Sequence, residues 1–414
     1  MKINDLKSLP IVMFSMSRWD GVSSASLSLA KEFSKFTKVF YIDNPLTYKD
    51  YVFRYNNSEI IFRRNLKKKN VKRYCNISGF PKNLIFVFPC LTIPINFLSK
   101  GFLYNQINKF NNKKVNKLIY KVLKDYNINN YILFNSFNPF YGAFLDSNHQ
   151  PVLQIYQSRD NIEEAAYVSK HGSYLEKRCI IRSHYAFATS KKLTKELSIK
   201  TKKKVHYLPN AADISIFNKV HYNDFTLPKE LEGIQKKIIG YIGNIEGRID
   251  YALLNLISLK HKDKVILLVG PDNSPKNNAY PLESITNLIK IGKTNLENIP
   301  QYLKFMDCTI IPFIVNDLTK NIYPLKINEY LSAGKPVITT EFSEDLDEFE
   351  KYISIARTYD EFNDFIDYEI QSDCEYHCCS NTYECFIDWI SWEKFGARIL
   401  YERVNGSIRT RKVR

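Results

Sequence analysis

Residues 321–338 read Asn321-Ile-Tyr-Pro-Leu-Lys-Ile-Asn-Glu-Tyr-Leu-Ser-Ala-Gly-Lys-Pro-Val-Ile338, and this stretch decides how the chain is read. Pro324 stands where a helix can start, because the N–H it lacks would have no partner in the first turn. Leu325 to Ala333 continues as a short helix, and Gly334 ends it as glycine does at a left-handed cap. Pro336 to Thr340 then reads as a buried strand, and Asp307-Cys-Thr-Ile-Ile-Pro-Phe313 reads as another upstream. Strand, loop, short helix and strand in this order put the backbone N–H groups of residues 322–325 beyond the carboxyl end of a strand. Open α/β sheets bind phosphorylated ligands at that place. Lys326 and Glu329 are three apart and face the same way. Lys326 is placed to meet a phosphate, and Glu329 to accept hydrogen bonds from ribose hydroxyls. Taken by itself, the segment also fits an ordinary αβ unit with a surface Lys and Glu, so the rest of the chain has to supply context.

Outward from this stretch the same alternation continues. Lys237-Ile-Ile-Gly-Tyr-Ile-Gly243, Val265-Ile-Leu-Leu-Val-Gly270, Leu288–Gly292, Cys308–Phe313 and Val337–Thr340 are short apolar runs separated by helical stretches. That pattern predicts a parallel sheet with crossover helices. The first half shows it too: strands at Pro10–Phe14, Lys38–Asp43, Leu84–Phe88, Tyr131–Phe134, Val152–Tyr156, His184–Ser190 and Lys204–Asn210. Helices are predicted at 22–36, at 99–126, from Tyr174 to Ile181 and from Lys191 to Ser198. Residues 214–236 are polar, contain Pro228 and suit a linker. The chain reads as two Rossmann-like α/β domains of similar size, 1–213 and 237–385, with 386–414 as a closing helix and basic tail. Paired domains of this kind hold ligands in the cleft between them.

With those motifs in place, the chain resembles retaining GT-B glycosyltransferases of the glycosyltransferase 1/4-like group, in the teichuronic-acid-biosynthesis-type branch. "PLKINEYLSAGKPVI" (324–338) resembles the donor-nucleotide motif of that family. Many members carry Glu-x7-Glu, whose second Glu binds the donor ribose; Glu329 matches it, while Asn321 stands at the place of the first. "SYLEKRCIIRSHYAFATSKKLTKEL" (173–197) and "VHYLPNAADISIF" (205–217) resemble the end of the first domain, with Ala211 where Gly is usual. "IGYIGNIEGRIDYALL" (239–254) and "IGKTNLENIPQYLKFMDCTIIPF" (291–313) resemble parts of the nucleotide domain. "CFIDWISWEKFGARILYERV" (385–404) is similar to the helix that crosses back to the first domain. The resemblance implies the GT-B fold and transfer of a hexosyl group from a nucleotide-sugar, UDP-linked, with retention and without a metal or a covalent enzymic nucleophile. No bound cofactor is implied, the nucleotide-sugar being a substrate.

Breaking a sugar–diphosphate bond requires neutralising the charge that grows on the leaving diphosphate. Arg248, in Gly243-Asn-Ile-Glu-Gly-Arg248, is suited to do so bidentately, and Lys326 and the helix N-terminus add to it. Asp160, in Gln157-Ser-Arg-Asp160 after a first-domain strand, either orients a hydroxyl or caps a helix beginning near Ile162. Trp19 either stacks on a sugar or packs in the domain. The candidate catalytic set is Asp160, Arg248 and Lys326. The candidate nucleotide-binding set is Gly243, Asn321, Tyr323, Pro324, Leu325 and Glu329.

The chain has 414 residues, 44% hydrophobic and 25% charged, with 27 Phe and 28 Tyr, so extensive disorder is excluded. Its formal net charge is +16, crowded into Arg63-Arg64, Lys67–Lys69, Lys72-Arg73, Lys113-Lys114, Lys202–Lys204 and the tail from Arg409. Such an excess suits an anionic partner, namely a membrane surface, a nucleotide or a lipid diphosphate, or else a set of solvated faces. No recognition helix, zinc finger or RNA-binding signature accompanies it, which argues against nucleic acid. No leader-like apolar core and no run long enough to span a bilayer are present. Cys374, Cys378, Cys379 and Cys385 with His377 cluster, but without the second matching pair that a zinc site shows. The expectation is a cytoplasmic enzyme, peripheral on the inner face of the plasma membrane, acting on a lipid-linked saccharide acceptor in O-antigen, capsule or exopolysaccharide synthesis. The rival readings are a non-catalytic nucleotide-sugar-binding subunit and a nucleotide-sugar epimerase of the same fold.

Overall fold

The apolar runs of the first half assemble into one sheet and those of the second half into another. The structure is a computed structural model that describes residues 8–19, 25–53, 60–63, 65, 72–142, 150–163 and 168–371. The described chain divides into two compact units that meet between Pro209 and Asn210.

The first unit holds β1 (Ile11–Ser15), β2 (Val39–Ile42), β3 (Tyr74–Cys75), β4 (Leu84–Val87), β5 (Ile132–Ser136), β6 (Leu153–Ser158), β7 (Tyr185–Ala188) and β8 (Val205–Tyr207). Their order is β3-β4-β2-β1-β5-β6-β7-β8, parallel except for the antiparallel edge strand β3, which was not anticipated. Its helices are α1 (Ala25–Ser34), α2 (Tyr48–Phe53), α3 (Phe102–Asp125), α4 (Ser169–Arg182) and α5 (Lys191–Thr201). Strands β1, β2, β4, β5 and β6 are buried along their whole length. A parallel sheet covered on both faces favours near-continuous apolar runs, which is why most of these strands were legible, although β5 and β6 also bury Asn135, Ser136, Gln154, Gln157 and Ser158.

The second unit holds α6 (Ile214–Phe217), α7 (Lys219–Tyr222), β9 (Ile238–Ile242), α8 (Tyr251–Lys260), β10 (Val265–Val269), β11 (Leu288–Ile291), α9 (Ile299–Lys304), β12 (Cys308–Ile311), α10 (Leu325–Ser332), β13 (Val337–Thr340), β14 (Ser354–Ala356) and α11 (Tyr359–Gln371). The sheet is parallel throughout, in the order β11-β10-β9-β12-β13-β14. The chain leaves β9 toward β10 on one side and returns to β12 on the other. The strand order therefore reverses between β9 and β12, and a crevice opens outside their carboxyl ends.

Residues 214–236 are not a linker. Ile216, Phe217, Val220 and Leu231 are buried in the core of the second unit with β9 and α10, so polar composition concealed a few well-placed apolar anchors. The start of that unit accordingly falls at Asn210 rather than after 213. The expected closing helix and tail from 386, the cysteine cluster from Cys374, and the start of the helix expected from Val22 lie outside the described residues. Among the described residues no helix is long and apolar enough to cross a membrane.

Gly270 follows β10 with φ +148°, and a Cβ built there would lie 2.0 Å from the carbonyl oxygen of Gly243. Backbone cannot yield as the end of a side chain can. Gly270→Ala is expected to lower stability by about 2–3 kcal/mol, from strain at positive φ and the displaced neighbouring turn. A denaturant-unfolding midpoint unchanged from the parent would show that the two turns relax freely.

Candidate functional site

Three turns meet at the crevice of the second unit. The first follows β9: Gly243 has φ +153° and its N–H donates to the Val269 carbonyl at 2.8 Å. Ile249 bridges antiparallel to Phe313, and Asp250 N–H donates to Pro312 O at 2.8 Å, so the 243–250 loop is pinned to the chain leaving β12. Asp250 then caps α8, its carboxylate accepting from Leu253 N–H at 3.0 Å. The third turn is the entry to α10. Pro324 occupies the cap position and the helix begins at Leu325, one residue later than expected. At the other end Gly334 has φ +66°, its N–H bonds to Leu331 O and that of Lys335 to Tyr330 O. These bonds are the paired closure of a glycine-capped helix.

Two side chains tie α10 to β9. Tyr330 OH accepts from Ile242 N–H at 2.8 Å and donates to Ile242 O at 3.2 Å. Asn328, fully buried, donates to Asn210 O at 3.1 Å and sits against the Tyr323 hydroxyl. The sequence reading named neither Tyr330 nor Asn328 as a site residue. Their signal was a polar group on the buried side of an amphipathic helix, which must be hydrogen-bonded to be tolerated there.

Held this way, Lys326 reaches back to Gly243. A Cβ built on Gly243 would lie 2.3 Å from Lys326 Nζ, so the glycine lets the ammonium lie against its backbone in this position. The same Nζ lies 5.4 Å from the centroid of the Tyr241 ring. Burial lowers the Lys326 pKa, with Glu329 opposing that shift. Burial raises the Glu329 pKa, with Lys326 opposing. Neither side chain has a hydrogen-bond partner among the described residues, and both are half-buried, so their polar ends remain open to solvent or to a ligand. Groups in that condition are poised for a ligand that supplies the missing partners.

Arg248 differs from the expectation of a free bidentate clamp. Its guanidinium pairs with Glu246, 35% exposed, and lies 6.0 Å from the Phe313 ring centroid. Glu246 also accepts from Asn244 Nδ2. The sequence reading overlooked Glu246, two residues away in the same loop. Asn321 is buried in the 3₁₀ turn Thr319–Asn321; its Nδ2 donates to Asp317 O at 2.9 Å, while its Oδ1 has no partner. Gly243, Asn321, Tyr323, Pro324, Leu325, Lys326, Glu329 and Arg248 thus all belong to the second unit.

Asp160 belongs to the first unit, exposed beyond the end of β6. Among the described residues it caps no helix: the next described helix starts at Ser169, and it is Asn161 Oδ1 that accepts from Glu163 N–H at 3.1 Å. Neighbouring Arg159 donates to Ser26 Oγ at 2.7 Å. Trp19 packs, with its ring 5.1 Å from Phe62 and 6.1 Å from Phe86. On α4, Glu176 is 4% exposed and accepts from Ser158 Oγ at 2.6 Å and Tyr156 OH at 3.1 Å. Burial pushes its pKa up to about 7. Arg63 is also withdrawn from the expected basic cluster: it is buried on Asp43 at 2.6 Å. Arg64 and Lys67–Lys69 lie outside the described residues.

Residues 236–362 match the family model described as Glycosyl transferases group 1. A protein of Bacillus subtilis (strain 168), provisionally named teichuronic acid biosynthesis glycosyltransferase TuaH, is 29% identical over 170 residues. The match spans 40% of this chain and 42% of that relative, so less than half of either is compared. Among solved structures, sucrose-phosphate synthase from Thermosynechococcus elongatus superposes with a TM-score of 0.64 at 12% identity, over 96% of this chain and all of that one. HepE from Anabaena, solved with UDP and glucose, superposes with a TM-score of 0.57 at 12% identity, over 94% of this chain and 98% of that one. The chain has the GT-B fold, and within it residues 236–362 match the group 1 glycosyl transferases.

Proposed function

We propose that this protein is a hexosyltransferase that moves a sugar from a UDP-linked donor to a lipid-linked saccharide during synthesis of a bacterial surface polysaccharide. The observation that carries the reading is the pair Lys326 and Glu329. They are one helical turn apart and half-buried, with Lys326 Nζ beside Gly243 and 5.4 Å from the Tyr241 ring centroid, and neither has a protein hydrogen-bond partner among the described residues. A nucleoside diphosphate satisfies both at once. Its phosphates meet Lys326 and the N–H groups at the start of α10, and its ribose hydroxyls donate to Glu329. The UDP and glucose held by HepE and the teichuronic acid name of the Bacillus relative support the choice of donor and product class.

In this reading the bond from the sugar's anomeric carbon to the diphosphate oxygen breaks, and its electrons stay on the diphosphate. The acceptor hydroxyl forms the new bond with retention and gives up its proton, which the leaving diphosphate takes. Lys326 stabilises the growing charge, Arg248 assists once released from Glu246, and Asp160 of the first unit orients a hydroxyl. No residue forms a covalent intermediate and no metal enters the step. The first unit takes the acceptor and the second the nucleotide-sugar, at the cytoplasmic face of the plasma membrane.

Transfer of radiolabel from UDP-sugars into an organic phase tests the reading, alongside a thermal-shift panel of nucleotides, since a ligand bound only by the folded state raises its stability. Glu329→Ala is expected to weaken binding of the best nucleotide by about ten- to a hundredfold with the fold intact, the worth of hydrogen bonds to a charged group. Unchanged affinity would sink the ribose assignment. The Arg248–Glu246 pair and Asn321 at the place of the first motif Glu favour one other reading, a nucleotide-sugar-binding subunit without turnover. Binding without transfer to any lipid-linked acceptor would support it over the enzyme, and a free epimer formed without acceptor would indicate an epimerase.

A further inference from the structure

The longest helix of the first unit, α3, turns an unusual face to solvent. Its inner side buries Tyr104, Val115, Ile119 and Val122 together with four asparagines. Its outer side carries exposed Phe102, Leu103 and Phe110, followed by exposed Lys109, Lys113, Lys117 and Lys121. At about 100° per residue these seven positions fall within one face of roughly 120°. Phe102 is 79% exposed, and Phe97, in the loop leading to α3, is 72% exposed. Single exposed apolar residues need no explanation, but several large ones on one face do.

The aromatic end of this face is built rather than loose. Asn111 Oδ1 accepts from Ile93 N–H and Asn111 Nδ2 donates to Ile93 O, each at 2.9 Å, so α3 holds the loop that leads to Phe97. On α4, Lys170 donates to Phe97 O at 2.8 Å, and His171 pairs with Leu98 O at 3.0 Å. Lys114 donates to Leu91 O at 2.6 Å, and its Nζ lies 5.3 Å from the Tyr48 ring centroid and 5.7 Å from that of Phe110. That contact joins α2 to the same surface, where Val52 and Phe53 are exposed too. The acidic groups on α2, on α3 and in the 97–101 loop are Asp50 and Asp125. The first is bonded to Thr47, the second to Tyr74 at the far end of α3.

We propose that this face is a docking surface for an anionic lipid bilayer. Phe97, Phe102, Leu103 and Phe110 enter the headgroup–acyl boundary, and the lysines of α3 lie over the lipid phosphates. A helix with aromatic and aliphatic side chains beside a row of lysines is what lies in the plane of such an interface. The lysine stems reach along the apolar surface while their ammonium groups stay in water. Charge selects the occupant: a row of lysines without an intervening carboxylate repels a second copy of itself and attracts anionic lipid. The proposal deepens the reading of a lipid-linked acceptor by naming where the protein meets the membrane, but its test needs neither donor nor acceptor.

Co-sedimentation of the full chain with phosphatidylglycerol–phosphatidylcholine vesicles, against phosphatidylcholine alone, decides it. The parent is expected to partition at least about tenfold more strongly onto the anionic vesicles at low salt. Joint replacement of Lys109, Lys113, Lys117 and Lys121 by Gln should abolish that preference. Phe97→Ser with Phe102→Ser should abolish the fraction that stays bound at high salt. All six positions are exposed, so unchanged melting of both variants serves as the folding control. In a Phe102→Trp variant, brominated lipid should quench the added fluorescence. Equal binding of parent and lysine variant to anionic vesicles would overturn the proposal. So would a parent that shows no anionic preference, or that forms a concentration-dependent dimer lost in the Phe variant while vesicles stay unbound. If transfer into the organic phase fails while vesicle binding behaves as described, the transferase reading falls and the docking surface stands.

Discussion

Lys326→Ala is expected to lower the rate of sugar transfer by about two to three orders of magnitude, the usual loss when one pre-positioned group facing developing charge is removed. The ammonium packs on Gly243 and has no hydrogen-bond partner among the described residues. Its surroundings are partly apolar, so its charge counts for more there than in water. Burial alone disfavours the charged form, whereas a bound diphosphate favours it, so donor and proton bind together. The loss should fall mainly on kcat at saturating donor, because the diphosphate charge is greatest in the transition state. Melting should change little, since the variant releases a buried charge. Lys326→Arg should recover only part of the rate, because the space beside Gly243 is already filled by Nζ. Arg248→Ala should cost less than Lys326→Ala, since Glu246 already shares that charge. Parent-like turnover in Lys326→Ala would remove the residue from the mechanism.

The contribution of Glu176 to stability should fall as pH rises toward neutrality, against the opposite contributions of the buried His171 and His261 and the half-buried Lys335. The folded carboxyl titrates at about 7 because it is buried, whereas an unfolded glutamate titrates near 4.3. Between those values the folded state holds a proton that the unfolded state has released. The stabilisation is complete below the unfolded value and is lost as pH rises through the folded one. The loss is about 4 kcal/mol at most. Glu176→Gln keeps a carbonyl oxygen for Ser158 and Tyr156 but carries no titrating group. The difference in unfolding free energy between variant and parent should therefore shift in favour of the variant from pH 5 to pH 8. Subtracting one protein from the other cancels the remaining titrating groups. A difference that stays flat over that range would mean that the carboxyl ionises normally in the fold.

The two sheets, the parallel sense of every strand but the unanticipated β3 and β14, and the helices α1, α3, α4, α5 and α10 followed from the sequence because each rests on a local pattern. A buried parallel strand is mostly apolar, a helix must repeat its apolar face every three to four residues, and Gly334 had to mark a left-handed cap. Lys326 and Glu329 were legible for the same reason, as neighbours on one short helix. Distance along the chain decided the rest. Tyr330 and Ile242 are joined across 88 residues, and Asn328 and Asn210 across 118. No local pattern records such a bond. The Arg248–Glu246 pair lay within two residues, yet the side-chain directions that close it depend on the turn between β9 and α8. Arg63 looked like part of a solvated basic run until the fold laid it against Asp43, 20 residues away. Conversely, the lysines of α3 became one surface only when a single helix gathered them onto the side opposite its buried asparagines. The sequence by itself determined most of the buried strands and the approximate places of the longer helices, because those depend on backbone hydrogen bonding and on near neighbours; the exact helix ends and the buried anchors of residues 214–236 came only with the fold. Tertiary structure alone decided which charges are spent inside the protein and which remain for a ligand or a membrane, because Coulomb and hydrogen-bond partners are chosen by distance in space.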